Sequence, residues 1–257
     1  MINNQKNILI CTFFFLSFLL SSKSFAIEQS KIENKKISDL PVFITSIENI
    51  NANLIGIIGG KGMKNEIGKS KNFLKRYTDN FVEKGIAFYL FPNANSDTKA
   101  SYPRRISEDR IGRLNELVKY ISNINDKPIF IIGFSRGAVD AGFYAKKYPD
   151  NISGIILASG IYKNDSNKAK NFSMEKIIGK KIKVDTLVVH HEKDLCRVTK
   201  YKYAKSFFKK LKAPKKSLLN YTGGTGTGRE CGPYHHHGFE GIELKVANDI
   251  AEWINQK

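Results

Sequence analysis

The pentapeptide Gly133-Phe134-Ser135-Arg136-Gly137 constrains the fold of this chain more than any other feature of its sequence. It follows an apolar run at 129–132 and precedes a stretch of mostly small residues at 138–148, which favours a helix. A serine between a strand and a helix, with glycine two residues before and two after it, is the G-x-S-x-G nucleophile elbow. The glycines let the strand and the helix approach without a Cβ clash. We therefore predict that Ser135 holds its hydroxyl clear of a sheet.

Apolar runs alternate with segments of helical periodicity along most of the chain. The runs predict a first strand within 40–50 and further strands at 54–58, 86–91, 129–132, 155–158, 186–189 and 217–221. Apolar residues at helical spacing predict helices around 73–82, 111–121, 203–211 and 239–253. Such alternation predicts an α/β fold, in which a mostly parallel sheet carries helices on both faces. The loops that follow the strands then lie along one edge, where ligand chemistry is expected.

The beginning of the chain departs from this pattern. Residues 1–26 have a polar start and an almost unbroken apolar run, and Ser24 and Ala26 precede a cut after position 26. This is the layout of a secretory signal peptide, and the run is short for a membrane span, although an uncleaved anchor is the alternative. We expect an exported protein, periplasmic or secreted, with a polar leader at 27–39 and one domain at 40–257 without a large lid.

The net charge of the chain indicates which classes of binding partner to expect. It has 42 Lys and Arg against 24 Asp and Glu, which gives a formal net charge of +18 at pH 7. Such a charge favours anionic surfaces, so an anionic surface of the cell envelope is one expected partner. The sequence has no zinc-finger spacing and no RNA-binding aromatic signature, so nucleic acid is not expected. The oligomeric state is not readable from the sequence.

Partners for Ser135 follow two later strands. A serine nucleophile needs a base that takes its proton and an acid that orients the base. Asp194 lies just past the next-to-last predicted strand, and the loop after the last strand carries His235, His236 and His237. The order of the residue types along the chain is therefore Ser, Asp, His, which is the order found in α/β-hydrolases.

At these residues the chain resembles an exported bacterial α/β-hydrolase of the single-domain type. Relatives show a Gly-Gly-x-Gly turn, a Ser-Arg-Gly elbow, a His-His-x-x-Asp-x-Cys loop, and a Cys that is followed closely by His-Gly-Phe. The chain carries these patterns at 59–62, 135–137, 190–196 and 231–239, and the resemblance covers roughly residues 52–255. The resemblance implies a serine hydrolase fold but no particular substrate, because that fold hosts many reactions.

The resemblance favours His237 as the base, because it directly precedes Gly238 before the terminal helix, with His235 as the runner-up. It also favours Asp194 over Glu192 as the acid. All five histidines lie in the two loops that carry these residues, so a zinc site is an alternative. Adjacent histidines project in different directions, and the sequence has no H-E-x-x-H helix. We therefore expect neither a metal nor another cofactor.

The oxyanion of a tetrahedral intermediate needs preset N–H donors. We expect one from the backbone of Arg136, which follows the serine, and the other from Gly60 or Lys61 in the glycine turn. Cys196 and Cys231 lie near the candidate acid and base, which must meet. A disulfide between their loops is therefore expected in an exported protein, with two free thiols as the alternative.

Together these features predict an exported serine hydrolase that acts on a small-molecule or acylated substrate, with esters ahead of amides or peptides. Two alternatives stay open: a noncatalytic cationic binding protein of the cell envelope on the same scaffold, and an acyltransferase. The segments 93–105 and 162–183 are expected to wall the pocket. Tyr102, Arg104 and Arg105 are candidate contacts to an acidic substrate group, with surface exposure as the alternative.

Overall fold

A computed structural model of the protein describes residues 28–32, 42–63, 70–94, 96–163, 169 and 171–256. The predicted signal peptide lies outside the described residues. So does the second part of the predicted leader, from residue 33 onward. The described residues form one sheet with helices packed on both of its faces.

The strands of the sheet begin and end close to the predicted positions. They are β1 Glu28–Ile32, β2 Val42–Ser46, β3 Ala52–Ile57, β4 Ile86–Leu90, β5 Ile129–Phe134, β6 Gly154–Ala158, β7 Asp185–His191 and β8 Lys216–Tyr221. Their order in the sheet is β1-β2-β4-β3-β5-β6-β7-β8. Strands β3 to β8 are parallel, whereas β2 pairs antiparallel with both β1 and β4. The mostly parallel sheet that the sequence predicts is therefore confirmed.

Strand β1 falls within the segment that the sequence analysis assigns to a polar leader. It forms the edge of the sheet, with Glu28 opposite Ser46 and Ile32 opposite Val42. An edge strand in an antiparallel pair is held by backbone hydrogen bonds to one neighbour, so it does not need the continuous apolar run of a strand that is buried on both faces. The sheet therefore extends into the predicted leader.

At least one helix follows each strand from β3 onward. The helices are α1 Phe73–Arg76, α2 Thr78–Glu83, α3 Tyr102–Arg105, α4 Glu108–Ile124, α5 Gly137–Lys147, α6 Met174–Ile177, α7 Tyr201–Lys210 and α8 Glu243–Asn255, with 3₁₀ turns at Pro149–Asn151 and His236–Gly238. The single helix predicted around 73–82 is divided at Tyr77, which ends α1 and precedes α2. None of the helices in the described ranges combines the length and apolar content that crossing a bilayer requires.

The apolar core has two parts, one on each face of the sheet. Leu114, Tyr144 and Phe207, from α4, α5 and α7, are buried in one part. Phe81 and Ile250, from α2 and α8, are buried in the other. Complete burial of one such side chain stabilises the fold by about 1.5–3 kcal/mol. The described residues contain no large lid domain between the strands, and the loops after β5, β7 and β8 share one edge of the sheet.

Candidate active site

Ser135 lies at a sharp turn between β5 and α5. Its φ is 55°, in the left-handed region that residues other than glycine rarely adopt. Its backbone N–H donates a hydrogen bond to the carbonyl of Ala158 at 2.8 Å, which ties the turn to the neighbouring strand β6. The residue is 8% exposed, so most of its surface is packed into the turn. This is the strained strand-to-helix turn that the elbow motif predicts.

The glycines of the elbow are required by close backbone contacts. A Cβ on Gly133 would lie 2.4 Å from the carbonyl oxygen of Gly137, and a Cβ on Gly137 would lie 2.1 Å from that of Ile57. The glycine turn after β3 also lies close to the elbow, since a Cβ on Gly59 would lie 2.7 Å from the Cβ of Ser135. Strand β3, the glycine turn and the elbow are therefore packed backbone against backbone around the serine.

Asp194 and His237 meet at the same edge of the sheet. The Nδ1 of His237 lies 2.8 Å from Oδ2 of Asp194, and both side chains are buried. The backbone N–H of Cys196 donates to the other oxygen of Asp194 at 2.9 Å, which orients the carboxylate. Glu192, the competing acid, is exposed and accepts a hydrogen bond from Asn220. The structure thus pairs the imidazole with Asp194.

The two neighbouring histidines pack elsewhere. The ring of His236 lies against that of His191, with 4.6 Å between ring centroids. The ring of His235 packs against Gly226, where its Nε2 lies 2.7 Å from the position of an added Cβ. Burial lowers the pKa of His191 and of His236, so the neutral form of each is favoured. Of the three adjacent histidines, His237 is the one whose ring contacts Asp194.

Two further groups hold the Asp194 carboxylate. The hydroxyl of Thr199 donates to Oδ2 at 2.9 Å and lies 3.1 Å from Nδ1 of His237. Nε2 of His190 lies 3.3 Å from the same oxygen. Burial by itself raises the pKa of Asp194, but the charge and hydrogen bonds of His237 and His190 outweigh it and hold that pKa well below its usual range. Asp194 is therefore an anion at neutral pH, as an orienting acid requires.

Thr199 and Ser159 both support the imidazole, and neither is predicted from the sequence. Ser159 follows β6 with a φ of 45°, and its buried hydroxyl donates to the backbone carbonyl of His237 at 2.9 Å. Neither residue belongs to a motif. The one available signal for Ser159 is its position directly after a predicted strand, at the edge where the other site residues gather.

Ser135 and His237 line one cavity of about 220 Å³. Its walls are the glycine turn after β3, residues 70–72 before α1, and residues 231–233 beside the disulfide. The described residues of these two segments, 93–94, 96–105, 162–163, 169 and 171–183, do not supply these walls, contrary to the expectation from the sequence. They pack on each other instead, since the ring of Tyr102 stacks on that of Phe172 with centroids 5.6 Å apart.

The predicted oxyanion donors lie on two sides of the serine. Arg136 occupies the position that caps the N-terminus of α5, an 11-residue helix, where the helix dipole favours negative charge. Gly60 lines the cavity in a turn that is closed by a 2.9 Å hydrogen bond from the N–H of Gly62 to the carbonyl of Gly59. Lys61 is exposed, and its carbonyl accepts from a backbone N–H of the following loop.

A buried ion cluster supports this turn. Asp140 in α5 accepts hydrogen bonds from Arg105 and Arg110 at 2.5 Å each, and all three side chains are at most 1% exposed. The Nη2 of Arg105 also lies within donating distance of the carbonyls of Ile58 and Gly60, at 3.3 and 3.4 Å. The cluster therefore connects the first turns of the elbow helix to the backbone of the glycine turn.

For Arg105 this cluster corrects the expectation of a contact to a substrate, and Arg104 and Tyr102 also have partners within the fold. The guanidinium of Arg105 is fully buried against Asp140. That of Arg104, in α3, pairs with one acidic residue of the preceding loop and one of α4. The ring of Tyr102 is covered by Arg136, with 4.9 Å from the guanidinium carbon to the ring centroid. Each of these three side chains therefore has a partner within the fold.

Cys196 and Cys231 form a disulfide, as the sequence predicts. It joins the loop of Asp194 to the segment before His237, and Cys231 also lines the cavity. Donor atoms of Asp194, Cys196 and His237 lie within 4.8 Å of one another, a spacing that suits a metal ion. The sulfur of Cys196 is already bonded to Cys231, however, so of these three donors one imidazole and one carboxylate remain. This donor set favours an acid–base pair over a zinc centre.

No protein-family model and no curated protein sequence matches the chain. Solved structures match its fold. A dienelactone hydrolase from Anabaena variabilis has a TM-score of 0.63 at 12% identity, covering 90% of this chain and 98% of that one. An esterase from Pyrococcus furiosus scores 0.59 at 16% identity, with 91% and 93% covered. An α/β hydrolase enzyme from a deep-sea metagenome scores 0.60 at 13% identity, with 90% and 99% covered. This likeness establishes the α/β-hydrolase fold.

Proposed function

We propose that this chain, which has the α/β-hydrolase fold, is an exported serine hydrolase that cleaves carboxylic esters through an acyl-enzyme. One observation carries the proposal. Ser135 and His237 line the same cavity, and Asp194 holds Nδ1 of that imidazole at 2.8 Å. A hydroxyl, an imidazole and a buried carboxylate in this arrangement are the parts of a nucleophilic triad. The apolar run within residues 1–26 and the disulfide support export.

In the proposed reaction the Oγ of Ser135 attacks the acyl carbonyl carbon, and Nε2 of His237 takes the hydroxyl proton. The tetrahedral oxyanion then collapses, the bond to the leaving oxygen breaks, and His237 gives the proton to the departing alcohol. Water then attacks the acyl-enzyme while His237 takes its proton; the bond to Oγ of Ser135 breaks, His237 returns the proton to Oγ, and the acid product leaves. Asp194 stabilises the imidazolium that forms in each half of the reaction.

The oxyanion forms beside the N-terminus of α5, where the N–H of Arg136 is the first candidate donor. The glycine turn supplies the second, with Gly60 favoured over Lys61 because Gly60 lines the cavity. Loss of one such donor in other serine hydrolases costs about 2.7–4 kcal/mol of transition-state stabilisation. The buried cluster of Asp140 and Arg105 supports this part of the site, since Arg105 reaches the carbonyl of Gly60.

The size of the cavity supports small substrates. Its volume of about 220 Å³ is below the range of about 300–1,000 Å³ that is typical of sites for drug-sized ligands. A short acyl group therefore suits the site better than a long chain. Esters are proposed ahead of amides because the Pyrococcus furiosus structure that the fold resembles is named an esterase.

The test compares labelling by a fluorophosphonate probe in wild type, Ser135→Ala and Ser122→Ala. Ser122 lies on α4, and its hydroxyl bonds to a backbone carbonyl of the same helix. We expect wild type and Ser122→Ala to label equally and Ser135→Ala not to label, while all three melt at similar temperatures. Equal labelling of Ser135→Ala and wild type would overturn the proposal. A panel of p-nitrophenyl esters of increasing acyl length, with and without an added alcohol, then separates chain-length preference and acyl transfer from hydrolysis.

A further inference from the structure

Eleven lysines gather near the beginnings of strands β6, β7 and β8. They lie in the segments 145–151, 175–185 and 208–216, which we call the basic edge, and which contain three acidic residues and no arginine. All eleven are exposed. They are Lys146, Lys147, Lys176, Lys180, Lys181, Lys183, Lys209, Lys210, Lys212, Lys215 and Lys216.

Backbone contacts join the three segments into one surface. The N–H of Lys212 donates to the carbonyl of Lys180 at 2.7 Å, and the N–H of Ile182 donates to the carbonyl of Lys212 at 3.0 Å. The ammonium of Lys146 reaches the carbonyls of Ile178 and Lys181, at 3.4 Å each. Two surface grooves, of about 270 and 480 Å³, are lined mainly by residues of these segments. The lysines therefore form a continuous patch.

The topology places the basic edge away from the candidate active site. Strand β7 begins at Asp185 and β8 begins at Lys216, whereas the loops of Asp194 and His237 follow the ends of those strands. Helix α5 likewise begins beside Ser135 and ends at Lys147 in the basic edge. Strand β7 has 7 residues, and at a rise of about 3.3 Å per residue the two edges lie roughly 20 Å apart.

The chemistry of the patch indicates the kind of partner. Like charges that gather on one surface repel one another, and an anionic partner relieves this repulsion. Lysine carries a compact charge on a flexible stem, whereas arginine offers the planar fork that recognises a phosphate or a guanine edge in a fixed geometry. A broad patch of lysine without arginine suits a plane of diffuse negative charge better than it suits a nucleic acid.

We propose that the basic edge binds the protein to an anionic phospholipid surface. Each lysine near such a surface adds attraction that falls off within a Debye length, which is about 8 Å at physiological ionic strength. Attachment by this edge turns the cavity of Ser135 and His237 toward the aqueous side, so the site receives water-borne substrates. The proposal is independent of the proposed hydrolase activity, and its test reports binding alone.

The test measures co-sedimentation with phosphatidylcholine vesicles that contain about 30% phosphatidylglycerol, and with pure phosphatidylcholine vesicles. The edge variant carries Lys180→Gln, Lys181→Gln, Lys209→Gln and Lys210→Gln. The control variant removes the same charge elsewhere, by changing the exposed lysines 84, 99, 119 and 245 to glutamine. All three proteins share the same N-terminal residues, so those residues do not account for a difference between them.

We expect wild type to bind the anionic vesicles and not the neutral ones, with affinity that falls steeply as salt is raised. The edge variant loses at least about tenfold in affinity, a lower bound because four lysines at about fivefold each would contribute roughly 600-fold if all of them lay at the surface. The control variant stays within about threefold of wild type. The proposal is overturned if both variants lose affinity equally, if wild type ignores the anionic vesicles, or if it binds duplex DNA more tightly than vesicles at the same salt concentration.

Discussion

The Asp140→Asn substitution keeps the shape of a side chain in α5 but removes the negative charge that two buried arginines share. Arg105 and Arg110 each contact a different oxygen of Asp140 at 2.5 Å. Burial lowers the pKa of Arg105, and the charge of Asp140 is what opposes this effect. Removal of one partner from a buried ion pair costs about 3–5 kcal/mol, because the remaining charge stays buried without compensation.

For a domain of this size each kcal/mol lowers the melting temperature by about 2–4 °C, so Asp140→Asn is expected to melt roughly 6–20 °C below wild type. Asp109→Asn is the matched control. Asp109 also contacts two arginines, Arg104 at 2.5 Å and Arg113 at 3.4 Å, but its side chain is 58% exposed. Exposed pairs contribute about 1 kcal/mol or less. Calorimetry that finds the same melting temperature for both variants would refute the reasoning.

The same substitution tests whether the cluster supports the candidate active site. Arg105 reaches the carbonyls of Ile58 and Gly60, so we expect the loss of Asp140 to loosen the glycine turn. The kcat for a short-chain ester is expected to fall by about tenfold or more at a temperature where the variant is folded, with KM little changed. A variant that melts early but keeps the wild-type kcat would show that the cluster stabilises the fold without positioning the turn.

Four further predictions concern backbone packing, the disulfide and Asp194. Gly137→Ala brings a Cβ to 2.1 Å from a backbone carbonyl oxygen, so we expect little folded protein. In Gly112→Ala the added Cβ in α4 meets nothing within 4 Å, so a gain of up to about 1 kcal/mol is expected; equal melting temperatures contradict the steric reasoning. The disulfide of Cys196 and Cys231 spans 35 residues. Chain-entropy reasoning gives a loss of about 4 kcal/mol on reduction, and a melting temperature that dithiothreitol leaves unchanged would be evidence against it. The pKa of Asp194 is held low in the folded protein, so its ionisation stabilises the fold above the unfolded pKa, and this contribution is lost as the pH falls through the folded pKa. Urea unfolding of Asp194→Asn from about pH 7 to pH 2 is expected to show a shallower loss of stability than wild type, and parallel curves would contradict the assignment.

Much of the fold could be predicted because the central strands are buried on both faces. Every residue of β3, β5 and β6 is buried, so each strand is marked by an apolar run in the sequence. Strand β1 carries no such run, because its place at the sheet edge depends on pairing with β2. The sequence also could not predict the break at Tyr77, because the apolar spacing continues through it from α1 into α2.

The sequence could predict some residues of the candidate site but not others. Ser135 could be predicted from a local motif. The places after strands predicted the loops that carry Asp194 and His237, and the resemblance to α/β-hydrolases selected these two residues within their loops. The support from Ser159 could not be predicted, because its hydroxyl meets the carbonyl of His237 across 78 residues of sequence. The Asp140 cluster could not be predicted either, because its members lie far apart in the sequence and a buried arginine has no distinctive local pattern.

The sequence by itself determined the alternation of strands and helices, and with it the edge of the sheet where the chemistry lies. Only the tertiary structure decided which side chains meet there, since it paired Asp194 with His237 and left Glu192 exposed. Periodicity reports which face of a strand or helix is buried, because burial repeats along the element. The direction of a side chain in a loop depends on contacts with distant segments, and no local pattern records those contacts.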